Sequence, residues 1–520
     1  MKKALLLLLA NLLLFSTLSA QTASQTIRGI VVEKNSGHSV PYATVVVADL
    51  QPTAGTTGDS LGRFVLRRVP VGRHDVEVSC LGYEPMLLRE ILVGSSKEVV
   101  LDVRLQESLV AVEEVVVRPR IDKTEPLNEM ALAGGRMLSV EEASRYAGSM
   151  DDPARLVSSF AGVASTVGNN GIVVRGNAPK FLQWRMEGVE IPNPNHFAEV
   201  TSFGGGGLTA LSSQVLGNSD FYTGAFPAEY GNALSGVFDM YLRNGNSVRH
   251  EHTAQFGILG IDAASEGPFS KNYDGSYLFN YRYSTLSLLT PLLPEDAEGT
   301  NYQDLSFKLS FPSRRAGTFS LWGIGLIDRS GTVAEEDPSK WTYDQDMEDQ
   351  DVKQFMGAAG LGHRIRLGRA STLRTTLAAT VNGLDMHTER MNDAQQLLPQ
   401  NVIRNTSWNF VFATALRTRF GERHTNKTGF RATGLRYALF MQNASDGEGT
   451  LQTLNDETGF STLLTLYSTS VVRLSARWSL SLGANSQWFT LNDRRTLEPR
   501  VSVKYRAGAS HTFTAAYGMH

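Results

Sequence analysis

NYQDLSFKLSF, residues 301–311, places Leu305, Phe307, Leu309 and Phe311 on one face of an extended chain and Asp304, Ser306, Lys308 and Ser310 on the other. The pattern repeats. SYLFNYRYS (276–284) sets Tyr277, Phe279, Tyr281 and Tyr283 against Asn280 and Arg282. TLRTTLAATV (372–381) sets Leu373, Leu377, Ala379 and Val381 against Arg374, Thr376 and Thr380, and RVSVKYRA (500–507) sets Val501, Val503 and Tyr505 against Ser502, Lys504 and Arg506. Segments of about ten residues that alternate apolar with polar and end in aromatics are the pattern of transmembrane β-strands, apolar side to lipid and polar side to the lumen. The reading outward from residue 301 is therefore a mainly β chain with an antiparallel transmembrane barrel.

Composition agrees with membrane strands and removes other classes. Charged residues make up 19 per cent of 520 and the formal net charge is −3, so the basic balance that nucleic-acid binding needs is missing. Forty-eight glycines beside 42 per cent apolar residues suit turn-rich β structure. Lys2 and Lys3, an apolar run from Ala4 to Phe15 and the small residues Ser19 and Ala20 predict a signal peptide over residues 1–20. After Ala20 no run of about 18 apolar residues occurs, so an integral protein of this sequence crosses with a barrel rather than a helix. Cys80 is the single cysteine, which excludes an internal disulfide; VEVSCLGYEP predicts it as a small core residue of a strand.

Upstream of the alternating region the chain carries three elements in order. They are Val173-Val174-Arg175-Gly176, then Trp184-Arg185-Met186-Glu187-Gly188-Val189-Glu190-Ile191, then Tyr222-Thr223-Gly224-Ala225-Phe226-Pro227-Ala228-Glu229-Tyr230-Gly231. This succession resembles the plug of a TonB-dependent outer-membrane receptor of the Bacteroidetes type, with FPAEYGNALSGV the closest stretch and Glu187-Gly188 standing where Asp-Gly is usual. The resemblance implies an α+β plug over residues 123–246 enclosed by a barrel over 248–520, and names Arg175, Gly176, Glu187, Gly188, Gly224, Glu229, Tyr230 and Gly231 as its motif residues. Arg175 and Glu187 are further expected to pair with charges on the barrel wall.

Residues 25–106 contain short β-branched runs, IRGIVVE, YATVVVADL, GRFVLRRV, HDVEVSCLGY and KEVVLDVRL, broken by GTTGDSLG, and predict a small sandwich of five to seven strands. Gly29, Pro41, the GTTGDSLGRF segment, Pro70-Val71-Gly72 and Gly82-Tyr83 resemble a carboxypeptidase-regulatory-like domain. No zinc-ligand cluster accompanies it, so no peptidase reading follows. LVAVEEVVVRP (109–119) is similar to a TonB box, in which Glu114, Val115, Val116 and Val117 add as a strand to a partner's sheet edge; the other reading makes these valines the last strand of the sandwich.

Strand arithmetic limits the barrel. Plugged transporters have about 22 strands, whereas the 273 residues after Ser247 suffice for roughly 12 to 14 at about 20 residues per strand and connection. The barrel is thus expected to be incomplete in this chain, leaving a gapped wall around the plug. Leu497-Glu498-Pro499-Arg500 resembles a strand entry common in such receptors.

Candidate chemistry is sparse. AEEDPSKWTYDQDMEDQDVK (334–353) gathers carboxylates without the spacing of a calcium loop and reads as a solvated extracellular loop. His250 and His252 share one side of a strand, too few for a structural metal site. Gly204 to Gly207 lacks the Lys-Ser or Lys-Thr of a phosphate cradle. No catalytic motif, cofactor or metal set is seen in the sequence, and the resemblance implies active uptake across the outer membrane by a non-enzyme. The resemblance implies TonB and its inner-membrane energising complex as partners, outer-membrane lipid around the barrel, and a small-molecule, glycan or peptide substrate. A surface ligand-binding or adhesion protein on the same scaffold, and a secreted enzyme carrying an accessory sandwich, are the rival readings.

Overall fold

A computed structural model describes residues 23–33, 39–83, 85–95, 97–105, 126–138, 140, 146, 152–165, 170–198, 205–257, 260–284, 301–313, 315–368, 370–392, 394–444, 449–508 and 511–519. The expected signal peptide and the Glu114–Val117 run lie outside these residues. The chain divides into two compact units, residues 1–121 and 122–520.

The first unit holds seven strands: β1 (Ser24–Glu33), β2 (Thr44–Val47), β3 (Ala54–Thr57), β4 (Arg63–Pro70), β5 (Gly72–Ser79), β6 (Met86–Val93) and β7 (Val99–Leu105). They form two sheets, ordered β4-β1-β7 and β3-β2-β5-β6. Alternation drives the packing: on β4, Phe64, Leu66 and Val69 are buried while Arg63, Val65 and Arg67 are exposed. Gly29 is needed where β1 runs parallel to β7, because a Cβ there would meet the Leu101 carbonyl oxygen at 2.1 Å. Cys80 follows β5 rather than lying within it, packs against the sandwich core, and has its thiol pKa pushed up by burial.

The second unit begins with a small α+β body. Its strands are β8 (Gly135–Leu138), β9 (Val163–Ser165), β10 (Ile172–Val174), β11 (Gln183–Met186), β12 (Val189–Ile191), β13 (Asn195–His196), β14 (Leu208–Thr209), β15 (Ser219–Tyr222) and β16 (Val237–Met240). A single-turn helix, α1 (Pro153–Leu156), starts where the Asp152 carboxylate accepts from the Ala154 amide at 2.8 Å and proline occupies the first turn. The central sheet runs β12-β11-β16-β15-β8, and every residue of β11, β15 and β16 is buried. At its centre Trp184 stacks on Phe238, which Phe221 meets edge to face.

Thirteen antiparallel strands follow in one meander. They are β17 (Glu251–Phe256), β18 (Gly260–Ser270), β19 (Tyr273–Ser284), β20 (Asn301–Ser313), β21 (Gly317–Thr332), β22 (Glu348–Leu367) and β23 (Ser371–Met391), then β24 (Leu397–Arg419), β25 (His424–Asn443), β26 (Gln452–Arg473), β27 (Trp478–Phe489), β28 (Arg494–Arg506) and β29 (Thr512–Gly518). Each pairs with the next, and among the described residues β17 and β29 are the open edges of the sheet. The count among the described residues falls within the twelve to fourteen expected.

The polarity of this sheet is inverted relative to a water-soluble one. On β20 Asp304, Ser306 and Ser310 are buried, while Leu305, Phe307 and Leu309 lie on the other, half-exposed face. Phe410 on β24, Phe460 and Leu466 on β26 and Leu482 on β27 are 49 to 64 % exposed. Apolar outside and polar inside is the arrangement lipid requires of a barrel wall.

Candidate plug and wall interface

The motif dipeptides of the inner body are turns. Arg175-Gly176 and Glu187-Gly188 have φ of +50 and +83°, and +51 and +84°. Each lies between paired residues, Val174 with Asn177 and Met186 with Val189. Two-residue hairpins of type I′ need positive φ at both central positions, and glycine holds the second of each here.

The two turns point their side chains in different directions. Glu187 is buried and faces the wall: Lys308 Nζ on β20 donates to Oε1 at 2.7 Å, and Arg374 on β23 donates to Oε2 at 2.9 Å and to the Glu187 carbonyl at 2.8 Å. Burial pushes this carboxyl up, but Lys308 and Arg374 more than offset it and leave it below its ordinary range. Arg175 does not meet the expectation of a wall partner. It is exposed, its guanidinium lies beside Gly224, and among the described residues it forms no ion pair.

Glu229 makes the second junction. Its carboxylate accepts from Lys427 on β25 and, at 2.6 Å, from Asn128, while its carbonyl accepts from Arg431 at 3.4 Å. Tyr230 turns inward, its hydroxyl donating to Asp239 at 2.8 Å and its ring lying 5.1 Å from the Arg185 guanidinium. The Gly231 carbonyl accepts from Gln183, and a Cβ there would sit 2.6 Å from Gln487 of the wall. Beyond this turn Arg500 on β28 donates to the carbonyls of Pro227 at 2.7 Å and Tyr230 at 2.9 Å, and is itself held by Glu498 at 2.8 Å.

A third junction was not legible in the motifs. His196 has no solvent exposure; Nε2 lies 2.9 Å from Asp304 Oδ2 and Nδ1 lies 3.3 Å from Asp328 Oδ2. Carboxylate oxygens facing both ring nitrogens favour the doubly protonated imidazolium. Burial pushes the His196 pKa down, yet the bonds to Asp304 and Asp328 more than offset it and hold it above its usual value. Arg282 on β19 also binds Asp304, at 2.8 Å, and donates to the Thr209 carbonyl. A fourth junction joins Arg243 to Glu266 on β18 through two bonds of 2.6 and 2.7 Å, with the Asn246 amide donating to the same carboxylate. Arg417 on β24 holds Glu129.

Polar contacts thus flank an apolar centre. Trp322, Ile324 and Leu326 on β21, Met356 and Ala358 on β22 and Val411 on β24 are buried in one cluster with Leu211, Trp184 and Met240 of the inner body. Side chains of every strand from β18 to β28 meet that body, so the sheet curves around it.

The remaining expected sites have ordinary partners. Asp337 and Asp346 of the acidic loop accept from the amides of Ser339, Thr342 and Tyr343, and among the described residues no three acids, histidines or cysteines form a metal-binding group. His250 and His252 are both bonded into a pair formed by Tyr277 and Ser265. The Gly206 and Gly207 carbonyls accept from Asn170 and Arg155 within the inner body.

Residues 26–106 match the family model described as carboxypeptidase regulatory-like domain. A search of curated protein sequences returned no significant match. Among solved structures the chain is similar to the outer membrane transporter YddB from Escherichia coli, at 15 % identity and a TM-score of 0.50, covering 74 % of this chain and 60 % of that one. It is also similar to the siderophore receptor PirA from Acinetobacter baumannii, at 13 % identity, a TM-score of 0.50 and coverage of 74 % and 60 %. Pseudomonas aeruginosa FpvA bound to heterologous pyoverdines matches at 11 % identity and a TM-score of 0.52, covering 71 % of this chain and 55 % of that one. Likeness at these identities shows a shared fold, a large antiparallel β-sheet curved around an inner body, and the chain spans less than two thirds of the length of each.

Proposed function

We propose that this chain is the plug and a major part of the wall of a TonB-dependent outer-membrane transporter that takes up a nutrient actively, with Arg175, Gly176, Glu187, Gly188, Gly224, Glu229, Tyr230 and Gly231 as plug residues. The observation that carries the reading is the seam itself: the buried Glu187 carboxylate, paired with the partly buried Lys308 and Arg374, joins a folded body to a lipid-type wall across residues far apart in sequence. A passive pore has no need of such a body. Paired charges lock the plug while at rest, and water can take over their hydrogen bonds when it moves. The working assignment is that Glu114 to Val117 adds as a strand to TonB in the periplasm and transmits inner-membrane energy to the plug. The sandwich ahead of it lies on the same side.

Deleting Glu114 to Val117 tests the reading in cells that depend on the transporter for a labelled nutrient. Energised uptake should fall to background while surface binding persists. Uptake that survives the deletion, or its loss together with all binding, overturns the assignment.

A further inference from the structure

Along β23 to β26 the inward positions change character. The positions nearest the plug are Arg374, Arg417, Lys427 and Arg431, and each is bound to the plug: to Glu187, Glu129, Glu229 and the Glu229 carbonyl. Moving along the strands away from these, the same face continues without a register shift through Asn382 opposite Ser407, and Ser407 opposite Tyr437. Leu384 opposes Asn405, which opposes Leu439; Thr380 opposes Asn409. Between Thr380 and Met386 and the positions that face them on β24 to β26, the inner face carries a single charged residue, Glu457. The outward face at the same level is charged instead, with Asp385 bound to Arg404 at 3.5 Å and Arg436 and Asp456 beside them.

Among the described residues the carboxamides of Asn382, Asn405 and Asn409 form no side-chain hydrogen bond. Each offers a carbonyl acceptor and an NH2 group with two N–H donors, the donor and acceptor types that a peptide group presents. They alternate with leucines. An anionic chelate would find no free cation here and would meet Glu457 with like charge, which disfavours it. An oligosaccharide would find one aromatic surface, Tyr437.

We infer that this face of the lumen, formed by Asn382, Leu384, Asn405, Ser407, Asn409 and Leu439, binds an uncharged oligopeptide with apolar side chains. The inference rests on the import reading above, since the face lies in the proposed entry path. Peptide amides pair with the free carboxamides while the leucines cover apolar side chains.

Titration calorimetry on the full chain in detergent, without any energy source, tests it with four probes. They are an N-acetylated, C-amidated tetrapeptide of alternating Leu and Asn, the same peptide with Asp in place of Asn, maltotetraose and ferric citrate. The capped neutral peptide should bind best, at least tenfold more tightly than each of the others. Ser407→Lys and Asn405→Asp should weaken it at least tenfold, whereas Thr406→Lys, on the outward face between them, should not. Tighter binding of ferric citrate or maltotetraose, an equal loss in Thr406→Lys, or no peptide binding overturns the inference. Energised uptake of some other solute would leave the transporter reading standing in that event; peptide binding without energised uptake would spare this inference and sink the transporter reading.

Discussion

His196 Nε2 lies 2.9 Å from Asp304 Oδ2, joining the plug to the wall with neither side chain exposed to solvent. Because the folded pKa of His196 is raised, its contribution to docking is complete below the free imidazole value of about 6.5 and is lost as pH rises through the higher folded value. Protease protection of the plug in the detergent-solubilised protein should therefore weaken as the pH is raised above about 6.5, and His196→Gln should flatten that dependence. Asp328, Arg282 and Tyr302 surround the ring and are unchanged in the variant, so an unaltered pH profile in His196→Gln would refute the assignment.

Glu187→Gln leaves Lys308 and Arg374 without their shared carboxylate. Removing one member of a buried ion pair costs about 3–5 kcal/mol, which should appear as a lower thermal midpoint for plug release. Exposed Arg175, by contrast, should change the midpoint little when replaced by Ala, within about 0.5 kcal/mol. Equal effects at the two positions would contradict the geometry.

Asp220 supplies a second, separate pH window. Its carboxyl is buried between strands and near Asp239; burial pushes its pKa up to about 6 despite bonds from the Leu127 and Asn128 amides and the Tyr222 hydroxyl. Between the unfolded value of about 3.9 and the folded one the native state alone holds the proton. Stability gained from this group is therefore full at low pH and is lost as pH rises through 6, by an amount on the order of 2–3 kcal/mol. Calorimetric unfolding of wild type minus Asp220→Asn across pH 4–7 should show that slope; a flat difference would contradict it.

Phe410 on the outward face tests the membrane assignment directly. Half of its surface is exposed, with Trp408 stacked beside it, and Phe410→Arg should cost about 2–4 kcal/mol of folding into lipid vesicles if it lies near the bilayer midplane. The same variant should fold as well as wild type in water if the sheet belonged to a soluble protein, the outcome that would rule out the wall reading.

Much of the architecture was readable because a two-residue period survives any context. Asp304, Lys308, Arg282 and Arg374 already stood on the polar faces of their strands, which amounts to a list of wall charges in search of partners. The partners were not readable. His196 reaches Asp304 across 108 positions and Asp328 across 132, and no local pattern encodes such a meeting. Arg175 shows the opposite failure. Its motif fixes a turn, and the direction of the side chain follows from how that turn is docked rather than from the letters Arg-Gly.

The division of the seam into an oily centre on β21, β22 and β24 and ionic margins on either side sets how the stopper can travel. Water substitutes readily for hydrogen bonds at the margins, but nothing substitutes for the contacts around Trp322 and Leu211. Loss of the ionic contacts alone should thus leave the body still held at its apolar patch.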